Sequence, residues 1–429
     1  MTMFRGAVLD TPESPFDGGG LRASGDEGLV VRDGVIVARG AFGALRREHP
    51  DEDVVTLDGG LLLPGFVDTH VHFPQVRVIG GIGLPLLDWL EQRALPEEGR
   101  LADPGYAAGV AADFVGGLVG AGTTSAMVFG AHFPAAVDAL FGAVAAVGLR
   151  VTSGLVVSDR NLPADLLTTP ERAHDESIAL ARRWHGAGRA RYAVTPRFSL
   201  SCSDALLAAC AAVLDDVPGA FVTSHVNENL EEIEQVTQLF GLSTYLASYD
   251  QRGLVGRRTV LAHNVHPDDD ELETLAARDA SIAHCPTSNA ALGSGPFPLA
   301  RHVDHGVRVA LGSDVGAGSG FSLLKEGLQA YFTQQQLGTD GYPLSPAHLL
   351  YLATTAGAAA LDLPDVGHLS AGQRFDAVWV RPAPGSTYDV ALRHASGPED
   401  ALGTTFTLGA AADVAGVWID GDPVAVTVR

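Results

Sequence analysis

The sequence predicts an α/β protein, with a (β/α)8 TIM-like barrel and a small β-sandwich domain built from both termini. Three observations lead to this prediction. From Pro64 to Leu361, apolar β-rich runs alternate with Ala/Leu-rich helical patterns. The two flanking segments contain mostly short strand patterns. Polar residues recur at the carboxyl ends of the central strands, which is where barrel enzymes place their chemistry.

The terminal segments predict one discontinuous β domain. Strand patterns near the N-terminus are Phe4–Leu9, Gly28–Arg32, Gly34–Arg39 and Val54–Leu57, with one helix pattern at Phe42–Glu48. Asp33-Gly34 is a hairpin signal between the second and third of these strands. Strand patterns return at Asp376–Val380, Thr404–Leu408, Val414–Ile419 and Val424–Val428. We therefore expect residues 1–63 and 366–429 to form the small domain and residues 64–365 to form the barrel.

The central segment contains eight strand patterns separated by helical patterns. The predicted strands are Phe66–His70, Thr123–Phe129, Arg150–Val157, Tyr192–Phe198, Phe221–His225, Thr259–His263, Ser281–His284 and Arg308–Asp314. The predicted helices are Gly105–Val119, Ala135–Val147, Pro170–His185, Ser203–Leu214, Leu230–Leu239, Asp268–Arg278, Leu299–His305, Leu323–Leu337 and Pro346–Leu361. This alternation favours a barrel, with a doubly wound sheet as the alternative.

Charge and composition exclude several kinds of partner. The net charge is −23 and Lys325 is the only lysine, so we expect neither nucleic acid nor membrane binding. No apolar run reaches the ~20 residues of a membrane span. The N-terminus lacks the long apolar core of a secretion signal, which predicts a cytoplasmic protein. Cys202, Cys210 and Cys285 form no Cys-x-x-Cys pair and are expected to be buried thiols.

Histidines at the strand ends predict a metal site. His70 and His72 are two residues apart on one strand, so their side chains point the same way. His225 and His263 end the fifth and sixth strands, and Asp314 ends the eighth. Four imidazoles and one carboxylate suit a borderline divalent ion, Zn²⁺ first and Fe²⁺ next. Such an ion makes hydroxide available near neutral pH, and Asp314 could accept the released proton.

Glu228 follows His225 by three residues, at the start of a predicted helix. One interpretation is a carboxylate that interacts favourably with the helix dipole. The other is a proton shuttle, which protonates a ring nitrogen while hydroxide attacks carbon. The proximity of His225 favours the shuttle.

Longer motifs connect these residues to a known family. PGFVDTHVH, SHVNE, LAH and GSD occur in this order, and with the split β domain they resemble the amidohydrolase superfamily. A narrower resemblance, to the guanine deaminase family, lies in HFPQ, GLPLLDWLEQRALPEE, TPRFSLSCS and ASIAHCPTSNAALGSG. The resemblance extends from about residue 60 to 380 and continues through GHLSAGQRFDAVWV at Gly367–Val380.

The resemblance implies hydrolytic deamination of guanine to xanthine and ammonia by a homodimer. The metal ligands would be His70, His72, His225, His263 and Asp314, with Glu228 as the proton shuttle. Gln75 and Arg197 would contact the purine, although loop bonding and an ion pair are their structural alternatives. Phe198 would stack on the base or fill the barrel mouth, and His284 would bind the substrate or the metal-bound water. Two-metal relatives use a bridging lysine, and strand four has none, so we expect one metal per chain.

The sequence is also consistent with other functions. Two departures from the family pattern, at Ser319–Phe321 and Asn264–Pro267, could change the substrate to 8-oxoguanine, a pterin, cytosine or a triazine. A non-catalytic relative would have lost ligands, and all the candidate ligands are present. Hydrolysis of a cyclic amide would favour a bridged two-metal site. The segment Gly83–Glu98 is expected to be a lid or an interface.

Overall fold

Two β-sheets organise residues 2–425, the part of the chain that this computed structural model describes. The strands are β1 (Thr2–Asp10), β2 (Arg22–Arg32), β3 (Val35–Ala41), β4 (Asp53–Pro64), β5 (Phe66–His72), β6 (Thr123–Ala131), β7 (Arg150–Val157), β8 (Ala190–Pro196), β9 (Phe221–Val226), β10 (Thr259–His263), β11 (Ser281–His284), β12 (Arg308–Leu311), β13 (Ala377–Val380), β14 (Val414–Ile419) and β15 (Asp422–Val424).

Helices connect the strands of the central sheet. They are α1 (Phe42–Glu48), α2 (Leu86–Trp89), α3 (Leu95–Arg100), α4 (Pro104–Gly120), α5 (Pro134–Val147), α6 (Pro170–Trp184), α7 (Asp204–Asp216), α8 (Leu230–Phe240), α9 (Ala247–Asp250), α10 (Asp269–Ala277), α11 (Pro286–Ala291), α12 (Leu299–Asp304), α13 (Leu323–Gln336), α14 (Pro346–Ala353), α15 (Thr355–Ala360), α16 (Thr387–Arg393) and α17 (Pro398–Leu408). Side chains of Asp103, Ser203, Asn229 and Asp268 accept hydrogen bonds from first-turn N–H groups and so fix where α4, α7, α8 and α10 begin. Within residues 2–425, no helix combines the length and apolar character needed to cross a membrane.

The central sheet is a closed barrel. Strands β5 to β12 are neighbours in chain order and pair in parallel. The segment after β12 returns to β5, because the Asp314 N–H donates to the His70 carbonyl and the His72 N–H donates to the Val315 carbonyl, both at 2.8 Å. This closure confirms the predicted barrel and excludes the doubly wound sheet.

The second sheet combines both termini. Its strand order is β15-β14-β13-β4-β1-β2-β3. The long strand β4 pairs in parallel with β1 and antiparallel with β13, so it joins N-terminal and C-terminal strands in one sheet. Phe4, Phe375 and Trp418 pack together in its core. A hydrogen bond from Gly65 N–H to the Asp376 carbonyl (2.9 Å) attaches this sheet directly before β5.

One predicted strand is wrong. Thr404–Leu408 is the last part of helix α17. Pro398 occupies the first helical turn, where its fixed φ is favourable, and Glu399 and Asp400 follow it beside the positive end of the helix dipole. Leu402, Thr405 and Phe406 are buried along one face of the helix, and a strand would separate them.

Several other predicted elements differ in extent, among them one helix and one strand of the C-terminal third. The predicted helix Pro346–Leu361 is divided into α14 and α15 by Thr354, whose φ of −136° and ψ of −87° are not helical. The predicted strand Val424–Val428 overlaps β15 at Val424, and its residues 426–428 lie outside the described part of the chain.

Candidate active site

Five polar side chains converge at the carboxyl end of the barrel. The Nε2 atoms of His70 and His72 are 3.1 Å apart, and His72 Nε2 is 3.2 Å from His225 Nε2. Asp314 Oδ1 lies 3.3 Å from the Nε2 atoms of both His70 and His72. His263 Nε2 is 3.8 Å from Asp314 Oδ2. Strands β5, β9 and β10 and the turn after β12 therefore direct their ligating atoms to one point.

Hydrogen bonds on the far sides of the rings orient two of these histidines. His225 Nδ1 donates to the Arg197 carbonyl (2.6 Å), and His263 Nδ1 donates to Asn289 Oδ1 (2.9 Å). A ring whose Nδ1 carries the proton has its lone pair on Nε2. Both lone pairs therefore face the cluster, which is the usual arrangement around a metal ion.

Asp68 fixes the position of the turn that carries Asp314. Its carboxylate accepts hydrogen bonds from Ser313 N (3.0 Å), Ser313 Oγ (2.5 Å) and His70 N (3.2 Å). Asp314 has a φ of +47° and His263 a φ of +73°, both in the left-handed region that side chains rarely adopt. Such backbone is maintained only where the surrounding contacts determine it, as they do here.

The chemistry of this donor set fits a borderline metal ion. Burial lowers the pKa of His70 to about 4 and the pKa of His225 well below its usual range. These imidazoles are therefore neutral at pH 7, which leaves lone pairs for an ion. Two sets of three, His70/His72/His225 and His70/His263/Asp314, have ligating atoms within 4.8 Å of one another. Nitrogen ligands with one carboxylate are typical of Zn²⁺ and Fe²⁺ sites.

Glu228 lies beside this cluster, just before α8. Its Oε2 is 3.5 Å from His263 Nε2, and its Oε1 accepts a hydrogen bond from Ser294 Oγ (3.2 Å). Burial raises the pKa of Glu228 above its ordinary value. A raised pKa favours the protonated form, so Glu228 is suited to donate a proton close to the metal position.

A network of polar side chains forms the opposite wall. Gln75 Nε2 donates to Glu98 Oε1 (2.7 Å), and its Oε1 accepts from Gly316 N (3.1 Å). Arg197 donates through Nη2 to Glu98 Oε1 (2.8 Å) and through Nε to Glu98 Oε2 (3.3 Å). Arg197 thus has the acidic partner that a buried guanidinium requires. Among the described residues, no hydrogen-bond acceptor faces its Nη1.

One cavity joins the two walls. Its lining includes His72, Gln75, Arg197, Phe198, His225, Glu228, Glu232, His263 and Asp314. Leu86, Trp89 and Leu90 line the same cavity, so part of the Gly83–Glu98 segment covers the barrel mouth. Phe198 is buried in the lining, with the Arg197 guanidinium carbon 5.6 Å from its ring centre.

His284 lies outside this lining. It ends β11, and its ring stacks on Phe297 with centroids 4.1 Å apart. It borders a different cavity together with Asn289 and Phe297. Neither ring nitrogen has a hydrogen-bond partner among the described residues. The catalytic role expected for His284 stays a prediction, and this placement gives it no contact with the central cavity.

The two departures from the family pattern occupy different positions. Phe321 packs against Phe114 of α4, and its ring touches the backbone of Gly117, so it stabilises the outer helix layer. Asn264, which directly follows the candidate ligand His263, lies 2.9 Å from His302 and accepts a hydrogen bond from Asn227 (3.0 Å). Neither Phe321 nor Asn264 lines the cavity.

Sequence reasoning missed several residues of the site. Glu98 is the last residue of the motif GLPLLDWLEQRALPEE. Because a buried arginine needs an acidic partner, Glu98 was a possible partner for Arg197. Asn289 hydrogen-bonds to His263, and Ser294 hydrogen-bonds to Glu228. Both residues lie in the motif ASIAHCPTSNAALGSG, but their spacing does not indicate these contacts. Glu232 lies one turn after Glu228 on α8, on the buried face that also lines the cavity.

Comparisons with known proteins agree with this arrangement. The model of the amidohydrolase family matches residues 61–424, so the chain belongs to the amidohydrolase family. A probable guanine deaminase from Deinococcus radiodurans is 56% identical over 432 residues, covering 99% of this chain and 98% of the relative. The resemblance to guanine deaminases seen in the sequence is thereby confirmed.

Solved structures of guanine deaminases have the same fold as this chain. E. coli guanine deaminase has a TM-score of 0.95 and 36% identity, with 99% of each chain covered. A guanine deaminase from C. acetobutylicum, with bound guanine in the active site, has a TM-score of 0.91 and 26% identity and covers 99% of this chain and 100% of that one.

Proposed function

We propose that this chain is a guanine deaminase, which converts guanine and water to xanthine and ammonia. One observation carries the proposal: five candidate metal ligands, an acid with a raised pKa and a hydrogen-bonding wall surround a single buried cavity. The 56% identity to a probable guanine deaminase over nearly the whole chain supports the same substrate.

We propose one Zn²⁺ per chain, with Fe²⁺ as the next candidate, held by His70, His72, His225, His263 and Asp314. The ion would supply Lewis acidity that makes a water molecule nucleophilic near neutral pH. Lys325, the only lysine, is on α13 and not on β8, so β8 offers no lysine to bridge a second ion. A single ion is the arrangement that these residues support.

The carboxyl groups would move the protons. Asp314 would accept a proton from the attacking water. The neighbouring His70 and His72 hold its pKa well below the usual range against the effect of burial, so its carboxylate is deprotonated and has lone pairs for this proton. Glu228 carries the proton that the substrate needs, and it donates this proton to the ring nitrogen next to C2. The C2–N bond then breaks, and the amine leaves as ammonia with the proton that Asp314 took from the water. The proton of the new C2 hydroxyl returns to Glu228, which restores both carboxyl groups.

The opposite wall would bind the far edge of the purine. Guanine presents an oxygen at C6 and an N–H at N1. Arg197 offers N–H donors to the oxygen, and Gln75 offers both a donor and an acceptor to this edge. Both side chains are buried, so the hydrogen bonds would form with little competition from water.

A substrate panel tests the proposal. Purified protein containing a known amount of metal is assayed for ammonia release from guanine, 8-oxoguanine, cytosine, a pterin and an aminotriazine. We expect guanine to give the highest kcat/KM. A metallated protein that ignores guanine and deaminates another base would overturn the assignment, while leaving the metal centre intact.

We propose further that the protein is a cytoplasmic homodimer, which the family resemblance and the three free, buried cysteines support. Residues 1–63 and 366–429 would form one discontinuous domain and residues 64–365 the barrel. Light scattering on the eluting protein would measure the mass, and a monomer would overturn the dimer. Limited proteolysis would test the domain division, with an early cut expected near the exposed Pro364 and none at the buried junction that follows Leu63.

A further inference from the structure

Glu98 has an unusual set of contacts for a side chain that does not line the central cavity. Its Oε1 accepts from Arg197 Nη2 (2.8 Å) and Gln75 Nε2 (2.7 Å). Its Oε2 accepts from Arg197 Nε (3.3 Å) and His132 Nε2 (3.2 Å). Each oxygen therefore accepts two hydrogen bonds, which is the full capacity of a carboxylate.

These four contacts bring together separate parts of the barrel mouth. Gln75 follows β5, His132 follows β6 and Arg197 follows β8, while Glu98 itself belongs to α3 in the covering segment. The Glu98 side chain is 4% exposed. Burial would raise the pKa of Glu98, but Arg197 and then His132 hold it well below its ordinary value. The charged carboxylate of Glu98 therefore connects the other three polar side chains of this wall.

We propose that Glu98 is a positioning residue for recognition of the purine oxygen at C6. It holds Arg197 in the orientation in which Nη1 has no hydrogen-bond acceptor among the described residues. It also holds Gln75 in the cavity wall, where Gln75 Nε2 lies 3.3 Å from His72 Nδ1. The inference rests on the proposed function, since it assigns the determinant of substrate preference in that same site. Glu98 acts through its two partners and makes no contact with the substrate.

The geometry explains why only a carboxylate serves here. An amide in place of the carboxylate would put an NH₂ group at one of the two oxygen positions. Both positions face N–H donors, so either orientation of the amide opposes donors to donors. In either orientation, Glu98→Gln would thus break one of the two hydrogen bonds to Arg197, together with the hydrogen bond to Gln75 or to His132, without changing the size of the side chain.

Two substrates separate this role from general structural support. Guanine and 2-aminopurine both carry an amine at C2, and only guanine has the oxygen at C6. In 2-aminopurine, Arg197 and Gln75 have no oxygen to bind. Loss of their orientation should therefore weaken the binding of guanine and leave the binding of 2-aminopurine unchanged. A distorted active site would lower kcat/KM for both substrates equally.

The experiment measures kcat and KM of the metallated enzyme for both substrates. We expect Glu98→Gln to raise the KM for guanine by about 10- to 100-fold, the usual effect of losing hydrogen bonds to charged groups. The kcat/KM for 2-aminopurine should stay within a factor of about 3. Glu97→Gln is the matched control, since Glu97 is also buried on α3 but pairs with Arg100 and Tyr106. It should leave both substrates unchanged.

Each outcome decides the question. If Glu98→Gln leaves the KM for guanine unchanged, or lowers kcat/KM equally for both substrates, the proposed role of Glu98 is wrong. If wild-type protein with bound metal releases ammonia from neither substrate, the proposed function itself fails. Should Glu98→Gln fail to fold, Glu98→Asp is judged by the same two ratios, because it keeps the charge but is one methylene too short to reach all three partners.

Discussion

Glu228 Oε2 lies 3.5 Å from His263 Nε2, and both side chains are buried. Glu228 precedes α8 and His263 ends β10, so two separate parts of the chain place an acid beside a candidate metal ligand. The other oxygen of Glu228 is held by Ser294, which directs the carboxyl group. Glu228 is therefore placed to transfer protons beside the metal position without being a metal ligand itself.

Glu228→Gln should retain the metal and lose most of its turnover. The amide keeps the shape of the side chain but is too weak an acid to transfer a proton near neutral pH, and positioned acid–base groups typically contribute ~10²–10⁴-fold in rate. Metal content by elemental analysis and kcat for guanine are measured together. Glu231→Gln, an exposed neighbour on α8, is the control and should behave like wild type. Normal turnover in Glu228→Gln would refute the role.

Arg197→Ala should chiefly raise the KM for guanine, by about 10- to 100-fold, because a charged donor to the purine oxygen is lost. The variant should also have a lower Tm, since Glu98 is left as a buried charge without its cation. Arg252→Ala removes a comparable ion pair with Asp204 at the surface and serves as the control. A KM equal to that of wild type would count against substrate contact by Arg197.

Removing the metal should destabilise the folded protein. The candidate ligands are buried imidazoles directed to one point, and an ion that binds only the native state stabilises it by about 2.7 kcal/mol at roughly 100 times its Kd. Chelation should lower the Tm, and added Zn²⁺ should restore it. Mg²⁺ prefers oxygen ligands and should not restore it. A Tm that is insensitive to chelation would argue against the site.

Two adjacent glycines of α4 should respond in opposite ways to alanine. A Cβ at Gly116 would meet open space, so Gly116→Ala should stabilise the protein by about 0.5–1 kcal/mol. A Cβ at Gly117 would lie 2.3 Å from the Phe321 ring, so Gly117→Ala should destabilise it by about 1–3 kcal/mol. Thermal melts of the two variants make this comparison. Equal effects would show that Phe321 does not pack as described.

The sequence predicted the barrel because each parallel strand is a short apolar run that ends in polar residues. His70, His72, His225 and His263 were identifiable because a strand end fixes both position and side-chain direction. Glu98 could not be located in this way. Its contacts with Gln75 and Arg197 depend on how the segment before α4 folds over the barrel mouth, and no periodicity determines that path.

The wrong strand at Thr404–Leu408 has a related cause. Its local composition suits a strand, and tertiary packing decides the outcome, because Phe406 must reach the core beside Gly327 of α13. The position of His284 was also beyond sequence reasoning. A histidine at a strand end was expected to face the site, whereas its ring packs on Phe297.

A metal titration tests whether this chain is a deaminase with one metal ion. Metal-free protein is reconstituted with increasing Zn²⁺, and xanthine formation from guanine is measured at each step. We expect activity to rise linearly and to reach its maximum at one ion per chain. Absence of xanthine at every metal content, or a maximum that requires two ions per chain, would contradict it.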